Sequence, residues 1–218
     1  MSVLSSHMLP RAWILVMAGV SVLAVVLGLA FALTRPAATQ SSAAGAAGAE
    51  AASSAGFDGA AVAGAPSHGF TLSEVGGGPV SLSQFRGQVT VLAFLYSSCG
   101  ATCVLIAQQI RGALDELARP VPVLLISADP AADTPASVDR FLQSVSLRGR
   151  VHYLSGSQKQ LQAVWRAYGT VAAASAGRAA FARFASVILL GESGRERVVF
   201  GQEQLTAEGL AHDIRKLS

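Results

Sequence analysis

The sequence predicts an α/β layered domain carried behind one membrane-spanning helix and a flexible linker. Three observations predict it. Residues 12–33 are uncharged and almost wholly apolar, a tract dominated by Ala, Gly and Ser follows, and from residue 67 onward short β-branched runs alternate with helical periodicity. Composition agrees. Of 218 residues, 51% are hydrophobic and 13% charged, and the mean hydropathy is +0.47. Those values exclude a disordered chain and fit a segment in lipid. Sixteen Lys and Arg against 13 Asp and Glu leave a net charge of +3 with no basic run, which is no footprint for nucleic acid. Two cysteines exclude a disulfide-stapled scaffold and a four-thiolate zinc site.

Taken in order, residues 1–11 form a cytoplasmic N-terminus and 12–33 the anchor. As a helix the anchor spans roughly 33 Å, enough for the hydrocarbon core. Arg11 precedes it and Arg35 follows it, so orientation is set by the easily translocated stretch beyond: N-terminus inside, the rest on the periplasmic side of the inner membrane. Residues 34–66 form the linker. Within 37–66, 14 positions are Ala, 5 Gly and 4 Ser, a composition with a reach of about 30 Å as a flexible chain. The domain proper is predicted over 67–218.

Its elements follow from patterning. A short hairpin is expected around 70–72 and 80–82. Residues 89–96 and 121–128 read as strands buried on both faces, with Pro122 near the start of the second. Residues 184–190 form a third, followed by a turn at 192–194 and a partner strand at 195–200. Between them Cys103, Ile106, Ile110, Leu114 and Leu117 recur at helical steps. So do Val138, Phe141, Leu142 and Val145, after a start at Asp133-Thr134-Pro135. Residues 158–168 and 206–217 are two more helices, and Trp165 and Tyr168 on the first of them read as core. From 140 to 183 there are seven basic residues and no acid, which are either solvated faces or a docking surface for an acidic partner.

The chemistry sits in Cys99-Gly-Ala-Thr-Cys103, which follows the first buried strand and opens a helix. A thiol at a helix N-terminus faces the positive end of the macrodipole and unpaired N–H groups, which stabilise its thiolate. Cys103 lies one turn further on the same face. Two thiols so placed can close a disulfide or hold one soft cation, and Cu(I) suits them better than Mg, Ca or Mn. Asp129 ends the second core strand, where it can tune the cysteine-bearing helix start. Alternatively Asp133-Thr134-Pro135 caps the next helix while Asp129-Pro130 makes the turn.

Residues 91–103 (VLAFLYSSCGATC) followed by 126–135 (ISADPAADTP) resemble the SCO/SenC family. Ser81-Leu82-x-x-Phe85-x-Gly87 ahead of them and the N-terminal anchor match too. The resemblance covers roughly 68–218. It implies a thioredoxin-like fold, with Cys99 and Cys103 as the redox-active, copper-binding pair of a membrane-anchored assembly factor for the copper centre of cytochrome c oxidase. The implied partner is the copper-centre subunit of a terminal oxidase or another copper or thiol protein.

The sequence departs from the family pattern in two ways. Gly100 and Val104 stand where proline usually follows each cysteine. The third copper ligand, a histidine ten residues before a turn glycine, falls on Phe184 when counted back from Gly194. Among the remaining histidines, His152 is a weak candidate on a strand expected at the sheet edge, His212 beside Asp213 reads as a solvated face, His68 could fold back from the linker, and His7 lies across the membrane. A thiol–disulfide oxidoreductase without copper, with Cys99 attacking and Cys103 resolving, is the alternative, and a redox or copper sensor is a third reading. A threonine three residues before Cys99 would suit a peroxidase, but Tyr96 stands there.

Overall fold

The computed structural model describes residues 56–218, except 65, 118, 171, 173, 174, 178, 179 and 182–184. The expected anchor and most of the expected linker lie outside the described residues, as do Phe184 and His7. Among the described residues no helix is long and apolar enough to cross a membrane.

Eight strands form one mixed sheet. They are β1 (Ala60–Ala61), β2 (Thr71–Glu74), β3 (Pro79–Ser81), β4 (Thr90–Leu95), β5 (Val123–Ser127), β6 (His152–Ser155), β7 (Ser186–Leu190) and β8 (Glu196–Gly201), with spatial order β1-β8-β7-β4-β5-β6-β2-β3. The helices are α1 (Ala101–Glu116), α2 (Pro135–Ser144), α3 (Gln158–Ala167) and α4 (Ala207–Lys216). β4, β5 and β6 run parallel, while β7 lies antiparallel on the other side of β4. Parallel pairing requires crossovers, which α1 and α2 supply.

β4 and β5 are buried at every position, as expected of a strand covered on both faces. Alternate residues feed two cores. Val91, Ala93 and Leu95 of β4 pack with Val123, Leu125 and Tyr153 beneath Cys103, Ile106 and Ile110 of α1, Val138 and Phe141 of α2, and Leu210 and Ile214 of α4. Leu92 and Phe94 pack with Leu124, Ile126, Leu154 and Ile188 against Leu161, Val164, Trp165 and Tyr168 on the α3 side. Trp165 and Tyr168 are therefore core, as their spacing predicted. The indole N–H of Trp165 donates to the carbonyl of Ser127 at 3.0 Å, and the Tyr168 hydroxyl donates to the carbonyl of His68 at 2.9 Å.

Two expectations change. Residues up to 66 were read as linker, yet β1 pairs with β8 (Ala60↔Val199) and Pro66 bridges Arg195. Alanine-rich composition concealed a short edge strand whose hydrogen bonds come from the backbone. Similarly, β6 is not an edge strand: it lies between β5 and β2, because the N-terminal hairpin β2–β3 adds outside it.

The basic stretch is partly neutralised by acids outside it. Arg148 pairs with Asp139 at 2.9 Å and Arg150 with Asp115 at 2.7 Å. Arg140, Lys159 and Arg166 are exposed, and Arg178 and Arg183 lie outside the described residues.

Candidate functional site

The site forms at the carboxyl end of β4, where parallel α/β sheets present their loops. β4 ends at Leu95, the chain turns through Tyr96–Gly100, and α1 begins at Ala101. Gly100 is the N-cap of α1, with φ 81° and ψ −144°, and no side chain caps that terminus. The first-turn N–H groups thus stay available to a thiolate at the helix start.

Cys99 and Cys103 are joined in a disulfide with their Cα atoms 5.8 Å apart. The two cysteines differ in burial. Cys103, on the inner face of α1, is fully buried, whereas Cys99 retains 8% exposure. Beside Cys99 lies a shallow groove between α1 and α2, lined by Ser97, Ser98, Val104, Arg140 and Phe141. Cys99 is therefore the less buried of the pair and lies on the groove side.

The loop carrying Cys99 is held by a carboxylate that sequence reasoning read as a helix cap. Asp133, 5% exposed, accepts the Ser97 N–H at 2.7 Å, the Ser127 hydroxyl at 2.6 Å and the Tyr153 hydroxyl at 2.8 Å. It ties the cysteine loop to the end of β5 and to Tyr153 of β6. The cap of α2 is its neighbour Thr134, whose side chain accepts the Ser137 N–H at 3.2 Å. The proximity anticipated for Asp129 thus belongs to Asp133, while the Asp129 side chain stays in its own turn and accepts the Ala132 N–H at 3.4 Å. Burial, with the Asp133 carboxylate beside it, pushes the Tyr153 phenol well above its ordinary value.

The structure does not bring His152 to the cysteines. In β6 it shares the side of Leu154, on the face covered by α3, while α1 covers the opposite face. Its partner in β5 is Leu124, near the beginning of that strand rather than its end. Its Nδ1 lies 3.1 Å from a Glu74 carboxylate oxygen, and the ring packs on Phe85. His68 packs edge-on against Tyr168. Position 184 lies outside the described residues. Among the described ones, Phe181 packs on Tyr96 with ring centroids 5.2 Å apart.

A mixed sheet with a cysteine pair at the start of the helix after its central parallel strand defines a thioredoxin-like thiol protein. The SCO1/SenC family model matches residues 60–218, and the chain belongs to that family. Among solved structures it is similar to apo Sco1 from Thermus thermophilus, with a TM-score of 0.60 and 21% identity over 74% of this chain and 97% of that one. It is similar too to Bradyrhizobium japonicum ScoI with copper bound, with a TM-score of 0.54 and 22% identity over 71% of this chain and 100% of that one. A third is BsSco, described as carrying a disulfide switch and as a member of the Sco family of cytochrome c oxidase assembly proteins; its TM-score is 0.60, with 18% identity over 71% and 94% of the two chains. No curated protein matches the sequence.

Proposed function

We propose that this chain is a membrane-anchored copper-handling protein that delivers Cu(I) to, or prepares the cysteines of, the copper centre of a terminal oxidase. The observation that carries the reading is the Cys99–Cys103 pair at the start of α1 in a chain of the SCO1/SenC family. The copper-bound relative and the disulfide switch of another support it. By the apolar run at 12–33, the N-terminus lies in the cytoplasm and the domain works on the periplasmic side of the inner membrane.

Copper is cargo here, and the donor set fits it in one oxidation state. Reduction of the disulfide by a partner dithiol adds two electrons and two protons and yields two thiols, whose thiolates are soft ligands that select Cu(I). With Phe184 in place of the family histidine and His152 on the other face of the sheet, the two sulfurs hold the ion. Fewer ligands favour easy exit, which suits delivery.

The differing burial of the two cysteines favours a second reading, thiol–disulfide exchange without copper. An accessible attacking sulfur and a buried resolving one are what such exchange requires. An anaerobic Cu(I) titration of the reduced full chain in detergent, against a competing chelator and beside Cys99→Ser, separates the two. The expected outcome is one equivalent of Cu(I), lost in the variant. Failure to outcompete even a weak chelator removes the copper reading and leaves exchange.

A further inference from the structure

The segment before β1 is fastened to α4 by an arrangement that the cysteine chemistry does not use. The Asp213 carboxylate, on α4 and fully buried, accepts the N–H of Asp58 at 3.0 Å and that of Gly59 at 3.0 Å. The Asp58 side chain then turns back toward His212, whose Nδ1 lies 2.8 Å from Asp58 Oδ2 and 3.1 Å from Asp213 Oδ1. Gly209 makes the approach possible, because a Cβ there would stand 3.1 Å from the Asp58 Cβ.

Two carboxylates therefore converge on one imidazole nitrogen. One Nδ1–H cannot align with both oxygens, and with the imidazole neutral the cluster carries two negative charges. We propose that Asp58, His212 and Asp213 form a site for a borderline divalent transition-metal ion, with Zn(II) as its simplest representative. The ion takes the place of the Nδ1 proton and meets Asp58 Oδ2, Asp213 Oδ1 and His212 Nδ1, three atoms that all lie within 4.8 Å of one another. In a tetrahedral zinc shell adjacent ligand atoms stand about 3.3 Å apart, so the two contacts of His212 Nδ1, at 2.8 and 3.1 Å, need only a few tenths of an ångström to reach that spacing.

The ligand chemistry selects the ion class. One imidazole nitrogen with two carboxylate oxygens suits Zn(II) or Cu(II), whereas Ca(II) needs six to eight oxygens and Cu(I) prefers sulfur. The main-chain bonds from Asp58 and Gly59 orient the Asp213 carboxylate, which is the outer-shell support that metal ligands require. Side-chain exposures of 55% at Asp58 and 48% at His212 leave a path for the ion and room for a water as fourth ligand. Bound there, the ion clasps the segment before β1 to the last helix. This site does not depend on the copper reading, because none of its residues belongs to the cysteine loop.

The test is a titration of the full chain in detergent with Zn(II) by calorimetry and with Co(II) by visible absorption. The disulfide is left oxidised so that thiolates contribute nothing. One equivalent is expected to bind, with the visible bands of tetrahedral Co(II) and a raised thermal midpoint. Loss of an outer-shell partner alone costs a metal site roughly 10–100-fold in affinity, so Asp58→Asn and His212→Gln should each weaken binding at least tenfold. Both residues are about half exposed, and both variants keep side-chain size and polarity, so the fold survives the test. Absence of saturable binding, or unchanged affinity in both variants, overturns the proposal.

Discussion

Gly100 decides the shape of the cysteine loop. Its φ of 81° with ψ of −144° lies in a region that a residue with a Cβ occupies only under strain. Proline, with φ fixed near −65°, cannot occupy it. The sequence therefore departs from the family pattern at a position whose backbone a proline could not adopt. Because a Cβ at Gly100 would meet nothing within 4 Å, the cost of a substitution is conformational alone. Gly100→Ala should destabilise the oxidised protein by about 1–3 kcal/mol, and Gly100→Pro by more, both read from urea unfolding. An alanine variant as stable as the parent would show that the loop relaxes to another backbone at no cost. The cysteines themselves were legible in the sequence, since position after a buried strand and spacing along a helix are local properties. The handedness of the glycine between them was not, because glycine adopts either sign of φ with equal ease.

Strands and helices were legible wherever burial imposed a period. The continuous apolar runs became β4 and β5, and the three- and four-residue steps became α1 and α2. What the sequence could not show is which neighbour lies across a strand. His152 was placed on a strand, but its face depends on the parity shared with Leu154, and its distance from the cysteines on the order of strands. Asp133 was hidden by a good local explanation, since an acid before Thr-Pro looks like a cap. The cap is Thr134, and Asp133 instead receives three donors from separate elements. Asp133→Asn preserves shape but replaces one acceptor oxygen with an N–H₂, which the Ser97 N–H cannot bond and which the Ser127 and Tyr153 hydroxyls meet only by turning from donor to acceptor. A buried group left unpaired costs about 1–3 kcal/mol, so a loss of that size is expected. In the reduced variant Cys99 should also alkylate faster than in the parent, because Ser97 no longer anchors its loop. Unchanged stability with unchanged alkylation would mean that the loop is held by its neighbours alone.

At the scale of the whole molecule, each face of the sheet buries a tyrosine whose hydroxyl joins distant segments. Tyr153 lies in the core under α1 and donates to Asp133. Tyr168 lies in the core on the α3 side and donates to the His68 carbonyl. Burial raises the phenol of each above its ordinary value, with the Asp133 carboxylate adding to the effect at Tyr153 and Glu196 adding to it at Tyr168. Both phenols stay protonated in the fold at a pH where the unfolded chain, with values near 10, has released those protons. Their contribution is therefore complete below about pH 10 and is lost as pH rises from there toward the folded values, with a slope of at most about 1.4 kcal/mol per pH unit for each phenol. Urea midpoints measured from about pH 9 to pH 11 should fall accordingly. The phenolate absorbance of Tyr153 and Tyr168 should appear together with loss of the far-ultraviolet circular dichroism. Tyr168→Phe flattens the slope by removing one of the two groups while leaving the Asp133 network untouched. If all three tyrosines of the chain ionise while the circular dichroism stays native, the two cores admit water at their hydroxyls, and the sheet does not divide the molecule into two dry halves.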